Sequence, residues 1–195
     1  MDQITLLHGD FTVETVPGRV ETDDLLLADA RPVDESAFKE AMRCLPSGVV
    51  MVTTRVNARP WGLTISSCCS MTLRPPQIMI SLQQSTASYK EIALSRHFGI
   101  SILGARHKSL AEHGSAVGMA KFIDEFVLPG SQHEVRSPVV SGALFHLDCR
   151  VADIYNVKDH AIIVGLVEGA VSMYEKRDDP LLYFNQRFFT LGSPL

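Results

Sequence analysis

The stretch GLTISSCCS, residues 62–70, decides how this chain is read. It alternates like a strand, yet almost every side chain in it is small. Two hydroxyls and two thiols stand in a row from Ser66 to Cys69. Strands usually carry β-branched and aromatic bulk that fills a pleated surface, so a strand without it raises the question of what lies against its face. The stretch is the middle of WGLTISSCCSMTL (61–73), expected to run as one strand. Before it, VVMVTT (49–54) is a strand and VNARP turns the chain back. After it, RPP breaks the run and QIMISLQ (77–83) reads as a buried strand.

The same alternation continues outward. STASYKEIALS (85–95) reads as a helix with Ser85 in the ordinary N-cap role, and HFGISIL (97–103) as a strand. ARHKSLAEHGSAVGMAKFIDEF (105–126) is helical in character, and SPVVSGA (137–143) is a loop or short extended piece. LFHLDCRVADIYNV (144–157) and HAIIVGLVEGAV (160–171) are strands, with Gly165 and Gly169 marking bulges or close approach. PLLYFNQRFFTL (180–191) closes the chain with aromatic strand pieces. Upstream, SAFKEAMRCL (36–45) is a first helix capped by Ser36, with Phe38, Met42 and Leu45 on one stripe. Residues 1–35 read as an arm, with ITLL and FTVETV as short strands between acidic, turn-rich pieces. The domain proper is expected over 36–195.

Strands outnumber helices, and few strand–helix–strand units alternate, so a doubly wound parallel sheet fits poorly. The expected fold class is mainly β (α+β): an antiparallel barrel with a few short helices packed outside it. No Gly-x-Gly-x-x-Gly and no Walker loop occurs, so a nucleotide would not bind by the Rossmann route.

Of the 195 residues, 46% are hydrophobic and 21% charged, as in a globular protein. No apolar run reaches the roughly 18 residues of a membrane span, and the first residues lack the basic and apolar regions of a secretory signal. The net charge of −4, with Lys and Arg scattered, argues against nucleic acid as a partner. Cys44, Cys68, Cys69 and Cys149 include no Cys-x-x-Cys pair, which disfavours zinc. They read as reduced thiols of a cytoplasmic protein.

Seven segments in order carry a likeness: FKEAMRCLPSGVVMVTT, GLTISSCCSMTLRPP, IMISLQQSTASY, FGISIL, SPVVSGALFHLDCRV, KDHAIIVGLVE and PLLYFNQRFFTL. The series resembles the short-chain flavin reductase family, from about Phe38 to Leu191. The resemblance implies a split β-barrel, antiparallel and Greek-key-like, usually a homodimer. It implies reduction of FMN or FAD by NADH or NADPH, with the reduced flavin leaving for a separate flavin-dependent monooxygenase.

On that resemblance the opening stretch becomes a flat wall. An isoalloxazine ring needs small side chains beside it, so that main-chain N–H groups and hydroxyls reach its polar edge. Thr64, Ser66 and Ser67 match family positions lining the flavin, and Trp61 matches a position near the same pocket. Ile65 stands where the family commonly has Ala; alternation places it on the opposite face. Ser81, Gln83 and Ser88 match positions holding the ribityl–phosphate tail. His113 falls where a basic residue often lies near the phosphate; Lys90, Arg106 and Lys121 are further phosphate partners. KDH (158–160) matches a Gly-Asp-His signature with Lys158 in place of Gly. His160 is the catalytic candidate, positioned near the nicotinamide, with Asp159 fixing its tautomer or shaping the turn. FNQR (184–187) lies where family members touch the dinucleotide, with Arg187 placed to meet a pyrophosphate or a 2′-phosphate. Phe184, Phe188 and Phe189 read as core or dimer interface. No metal site is expected. Two other readings remain: a flavoprotein that retains FMN as an electron carrier or sensor, and a barrel that has lost flavin and serves as a binding module.

Overall fold

The structure is a computed structural model, which describes residues 31–129, 135–173 and 179–192. Contacts divide the chain into Met1–Phe38 and Lys39–Leu195. The strands expected within ITLL and FTVETV lie outside the described residues.

Helix α1 spans Glu35–Arg43. Asp34, not Ser36, caps it: its carboxylate accepts from the Ala37 N–H at 2.9 Å and the Ser36 hydroxyl at 2.6 Å. No residue of α1 is buried, and the apolar stripe of Phe38, Met42 and Leu45 is exposed.

Ten strands follow. They are β1 (Ser47–Gly48), β2 (Val50–Val56), β3 (Arg59–Ile65), β4 (Cys68–Leu73), β5 (Pro76–Gln83), β6 (His97–Ile102), β7 (Phe145–Val157), β8 (His160–Ser172), β9 (Leu182–Phe184) and β10 (Arg187–Phe189). Helix α2 (Ala87–Ser95) lies between β5 and β6. Helix α3 (Lys108–Ser115) is the only α-helical part of 105–126; 3₁₀ turns cover Ala105–His107 and Asp124–Phe126. All pairings are antiparallel. The large sheet runs β3-β2-β6-β7-β8-β5-β4, and a small one runs β1-β9-β10.

The segment 61–73 is therefore two strands, broken at Ser66–Ser67. That break explains the barrel. β3 and β4 are the two edges of the seven-stranded sheet, which laid flat would stand roughly 28 Å apart. Two linking residues let the edges separate by only about 10 Å, so the sheet must curl until its edges meet. No β3–β4 pairing seals the meeting line, which leaves the barrel split there.

The first half of β2 is apolar on both faces because it lies between two cores. Val50 and Val52 face the barrel interior with Ile78, Ile80, Leu82, Phe98, Ile100 and Ile163. Val49 and Met51 face outward into a second cluster with Leu110 and Ala111 of α3, Ile123 and Leu181. The expected glycines do mark irregularities. A Cβ on Gly165 would lie 2.6 Å from the Phe98 ring, and Gly169 adjoins a register shift between β7 and β8.

Candidate functional site

A cleft of about 550 Å³ opens at the split. Its walls come from the ends of β3 and β5, the Ser66–Ser67 break, the start of α2, the last residue of α3, His160 and the β9–β10 hairpin.

At the break, Ser67 and Ser81 hold β4 to β5. The Ser81 N–H donates to the Ser67 carbonyl at 3.1 Å, and the Ser67 hydroxyl to the Ser81 carbonyl at 2.9 Å. The main-chain N–H groups of Ser66 and Ser67 make no hydrogen bond to any described residue. Two backbone donors thus stand available at the mouth of the split. Ile65 packs against the barrel core and still borders the cleft. Thr64 donates to the Ala111 carbonyl at 2.9 Å, tying β3 to α3.

Thr86, rather than Ser85, caps α2: its hydroxyl accepts from the Tyr89 N–H at 3.2 Å and donates to the Gln83 carbonyl at 2.7 Å. Its place in the cleft wall sets the positive end of α2 beside the cavity.

His160 opens β8 directly opposite Gln83 of β5. Its Nδ1 lies 2.9 Å from the Asp159 carboxylate. That hydrogen bond is the largest cause holding the Asp159 carboxyl below its ordinary range. An ionised carboxylate accepts only, so Nδ1 carries the proton and Nε2 of the neutral ring is left as acceptor. The turn before it is the two-residue loop Lys158-Asp159, and Lys158 adopts a φ of 54°. The left-handed conformation that a glycine would favour is thus adopted by the lysine itself.

Gln84 was not legible as a site residue, yet it holds this turn from three sides. Its N–H donates to the Asp159 carbonyl at 2.9 Å. Its side-chain amide donates to the carbonyls of His160 at 2.7 Å and Lys158 at 3.3 Å.

Of the expected residues, the fold brings Thr64, Ser66, Ser67, Ser81, Gln83 and His160 together in one cavity. It places four others elsewhere. The Trp61 indole N–H donates to the Ser88 hydroxyl at 3.2 Å, and its ring meets Phe122 edge-on at 5.0 Å. Ser88 itself is buried. His113 Nε2 bonds the Phe122 carbonyl at 3.1 Å. Arg187 is exposed on β10. The sequence reading did not single out Ser115 or Tyr183; Gln186 falls within the FNQR stretch expected at the dinucleotide, and Thr86 at the helix start beside Ser85. Phe188, expected in the core or an interface, packs on the second core cluster and also borders the cleft. The hairpin's aromatic character was the available signal; its position at the cleft was not.

Comparison with known proteins fits this geometry. A family model described as "Flavin reductase like domain" matches residues 42–192. The reductase component of 4-nitrophenol 4-monooxygenase/4-nitrocatechol 2-monooxygenase from Rhodococcus opacus is 34% identical over 158 residues, 81% of this chain and 82% of that protein. FMN reductase (NADH) RutF 1 of Methylorubrum extorquens is 30% identical over 164 residues, 83% of this chain and 79% of its own length. Among solved structures, Streptomyces globisporus NADH:FAD oxidoreductase SgcE6, in complex with NAD and FAD fragments, superposes with a TM-score of 0.71 at 26% identity, over 84% of this chain and 98% of that one. BorF, the flavin reductase component of a bacterial two-component tryptophan halogenase, gives 0.72 at 25% identity, over 83% of this chain and 100% of that one. By sequence, fold and the cavity at its split, the chain belongs to the flavin reductase-like domain family.

Proposed function

We propose that this protein uses NADH to reduce free flavin, FMN or FAD, and releases it to a separate flavin-dependent monooxygenase. The observation that carries the reading is that Ser66 and Ser67, whose N–H groups have no hydrogen-bond partner among the described residues, line the same cavity as His160 in a wall without bulk. That donor set fits a flavin. The polar edge of the ring takes hydrogen bonds from backbone N–H groups, and such donors favour the negative charge that gathers there on reduction. The N-terminus of α2 at Thr86 suits the phosphate end.

A flavin held in the cleft would supply an electron-accepting ring able to receive a hydride from the nicotinamide and one proton from solvent. The chain's own residues perform no acid or base step on carbon. They hold two planar rings close enough for transfer. His160 offers its Nε2 lone pair to the carboxamide N–H of the nicotinamide, with Asp159 fixing the tautomer. Ser66 and Ser67 hold the flavin edge, and Phe188 and Tyr183 close the far wall.

We also propose that the working form is a homodimer. Phe184, Phe189 and Leu191 are large apolar side chains left exposed, which suits burial against a second copy. Four unpaired thiols and the need for NADH suit the cytoplasm.

The test is an NADH and NADPH oxidation assay with FMN, FAD and riboflavin, run on wild type and His160→Ala. Turnover should fall by about tenfold to a hundredfold in the variant, the range for loss of a positioning contact, with flavin affinity mostly kept. Unchanged turnover removes His160 from the mechanism. Wild-type protein that stays yellow through purification and is inert to NADH favours the retained-flavin reading instead.

A further inference from the structure

A second cleft, of about 310 Å³, lies at the other end of α2. Thr86 at the start of that helix borders the first cleft; Ser95 and Arg96 at its end border the second. The nine residues of α2 separate the two by roughly 13 Å along the helix axis. The reaction proposed above makes no use of the second cleft.

Its lining is unusual for a chain with a net charge of −4. Arg55, Arg96, Arg136 and Arg150 converge on it from β2, the end of α2, the segment before β7, and β7 itself. Glu91 is the one acidic lining residue. Arg150 is engaged by Glu168 at 2.5 Å, and Arg96 donates weakly to the Val151 and Ala152 carbonyls at 3.3 and 3.4 Å. The side chains of Arg55 and Arg136 make no hydrogen bond or ion pair among the described residues. The Glu168 carboxyl is held below its ordinary range chiefly by Arg150, with Arg136 and His97 adding to the effect. His97 stands at the floor with Nε2 buried and without a hydrogen bond; it lies 3.4 Å from the Asp148 carboxylate but out of line for one. Four guanidinium groups gathered around one concavity against one lining carboxylate, with Arg150 alone ion-paired among them, make a positive hollow that favours an added anion. The cleft has no Phe, Tyr or Trp among its lining residues, and its volume sits at the low end for ligand sites. Guanidinium forks match the paired oxygens of phosphate groups.

We propose that this second cleft binds a small, multiply charged phosphate anion, with pyrophosphate as its simplest representative. Arg55 and Arg136 are the principal ligands, because their side chains make no hydrogen bond among the described residues; Arg96 and Arg150 complete the positive wall.

The test is calorimetric titration of the purified protein with pyrophosphate at low ionic strength, with inorganic phosphate and acetate alongside. One pyrophosphate should bind per chain with a dissociation constant below about 1 mM, more tightly than phosphate, with acetate giving no heat. The double variant Arg55→Gln/Arg136→Gln should weaken binding by about tenfold or more while melting at the wild-type temperature, both side chains being exposed. Saturating FMN should leave pyrophosphate binding unchanged. No binding to wild type, equal binding to the double variant, or displacement of pyrophosphate by FMN would each overturn the assignment, the last by placing the anion in the first cleft.

Discussion

Lys158 carries the clearest local strain in the site. Its φ of 54° lies in the left-handed region, which costs a residue with a Cβ roughly 1–2 kcal/mol. Lys158→Gly removes the clash, although glycine loses more backbone freedom on folding. The variant should gain about 0.5–1 kcal/mol, read as a rise in denaturant midpoint at unchanged slope. An unchanged or lower midpoint would mean that the lysine stem makes up the difference through packing. Gln84 acts on the same turn from outside. Gln84→Ala removes both side-chain donors to the His160 and Lys158 carbonyls and keeps the main-chain bond. We expect a stability loss of about 1–2 kcal/mol and slower turnover at saturating NADH, with flavin affinity little changed. If turnover holds at the wild-type value, the turn does not depend on that amide for its position.

At the scale of elements, α3 packs so closely on β3 that no side chain fits between them. A Cβ on Gly114 would fall inside contact distance of the Thr64 hydroxyl, 3.0 Å from the Thr64 nitrogen and 2.7 Å from the Met51 methyl. Gly114→Ala must push the helix outward and take the cleft end of β3 with it. Overpacking of this kind costs about 1–3 kcal/mol. The variant should melt lower and bind flavin more weakly; full flavin affinity would show that the Thr64 wall adjusts without harm. The opposite edge of β3 is covered at its other end. The Gly62 N–H donates to the Lys121 carbonyl at 3.0 Å and the Ile123 N–H to the Pro60 carbonyl at 3.1 Å. The cleft end of the same strand keeps its edge open, so a single strand serves as both structural seam and ligand wall.

For the molecule as a whole, burial sorts the four thiols into two classes. Cys44 and Cys69 are exposed, while Cys149 is buried. Burial pushes the Cys149 thiol from 9.0 to about 12, and neighbouring Asp148 adds to the effect. Cys68 is raised to about 11, again chiefly by burial. A thiol reagent at mildly alkaline pH should therefore modify two cysteines rapidly in the folded protein and all four in denaturant. Four fast thiols in the native state would contradict the packing of the barrel core around Cys149. The raised values also set a direction for stability. The folded state keeps both thiols protonated where the unfolded chain would ionise them. Their contribution is whole below pH 9 and is lost as pH climbs toward 11 and then 12. Chemical denaturation across that window should show a falling midpoint, with a smaller fall in Cys149→Ala.

The sequence by itself determined most of the strands, because period-two alternation of apolar residues is a local property that β5, β6 and β7 display, and the unbroken apolar runs of β2 and β8 are local too. It determined the small-residue wall and the KDH turn, whose residue types stand next to one another in the chain. It also carried the family likeness, since that rests on ordered segments. Only the tertiary structure decided where the strand of residues 61–73 breaks, because the break follows from curling a seven-stranded sheet onto itself, a constraint no local window contains. It alone set Trp61 on Ser88 and His113 on the Phe122 carbonyl, away from the cavity, and brought Tyr183, Gln186 and Phe188 to it across more than 100 residues of chain. The physical reason is the same in each case: alternation fixes which face a side chain takes, whereas barrel closure fixes which distant faces meet.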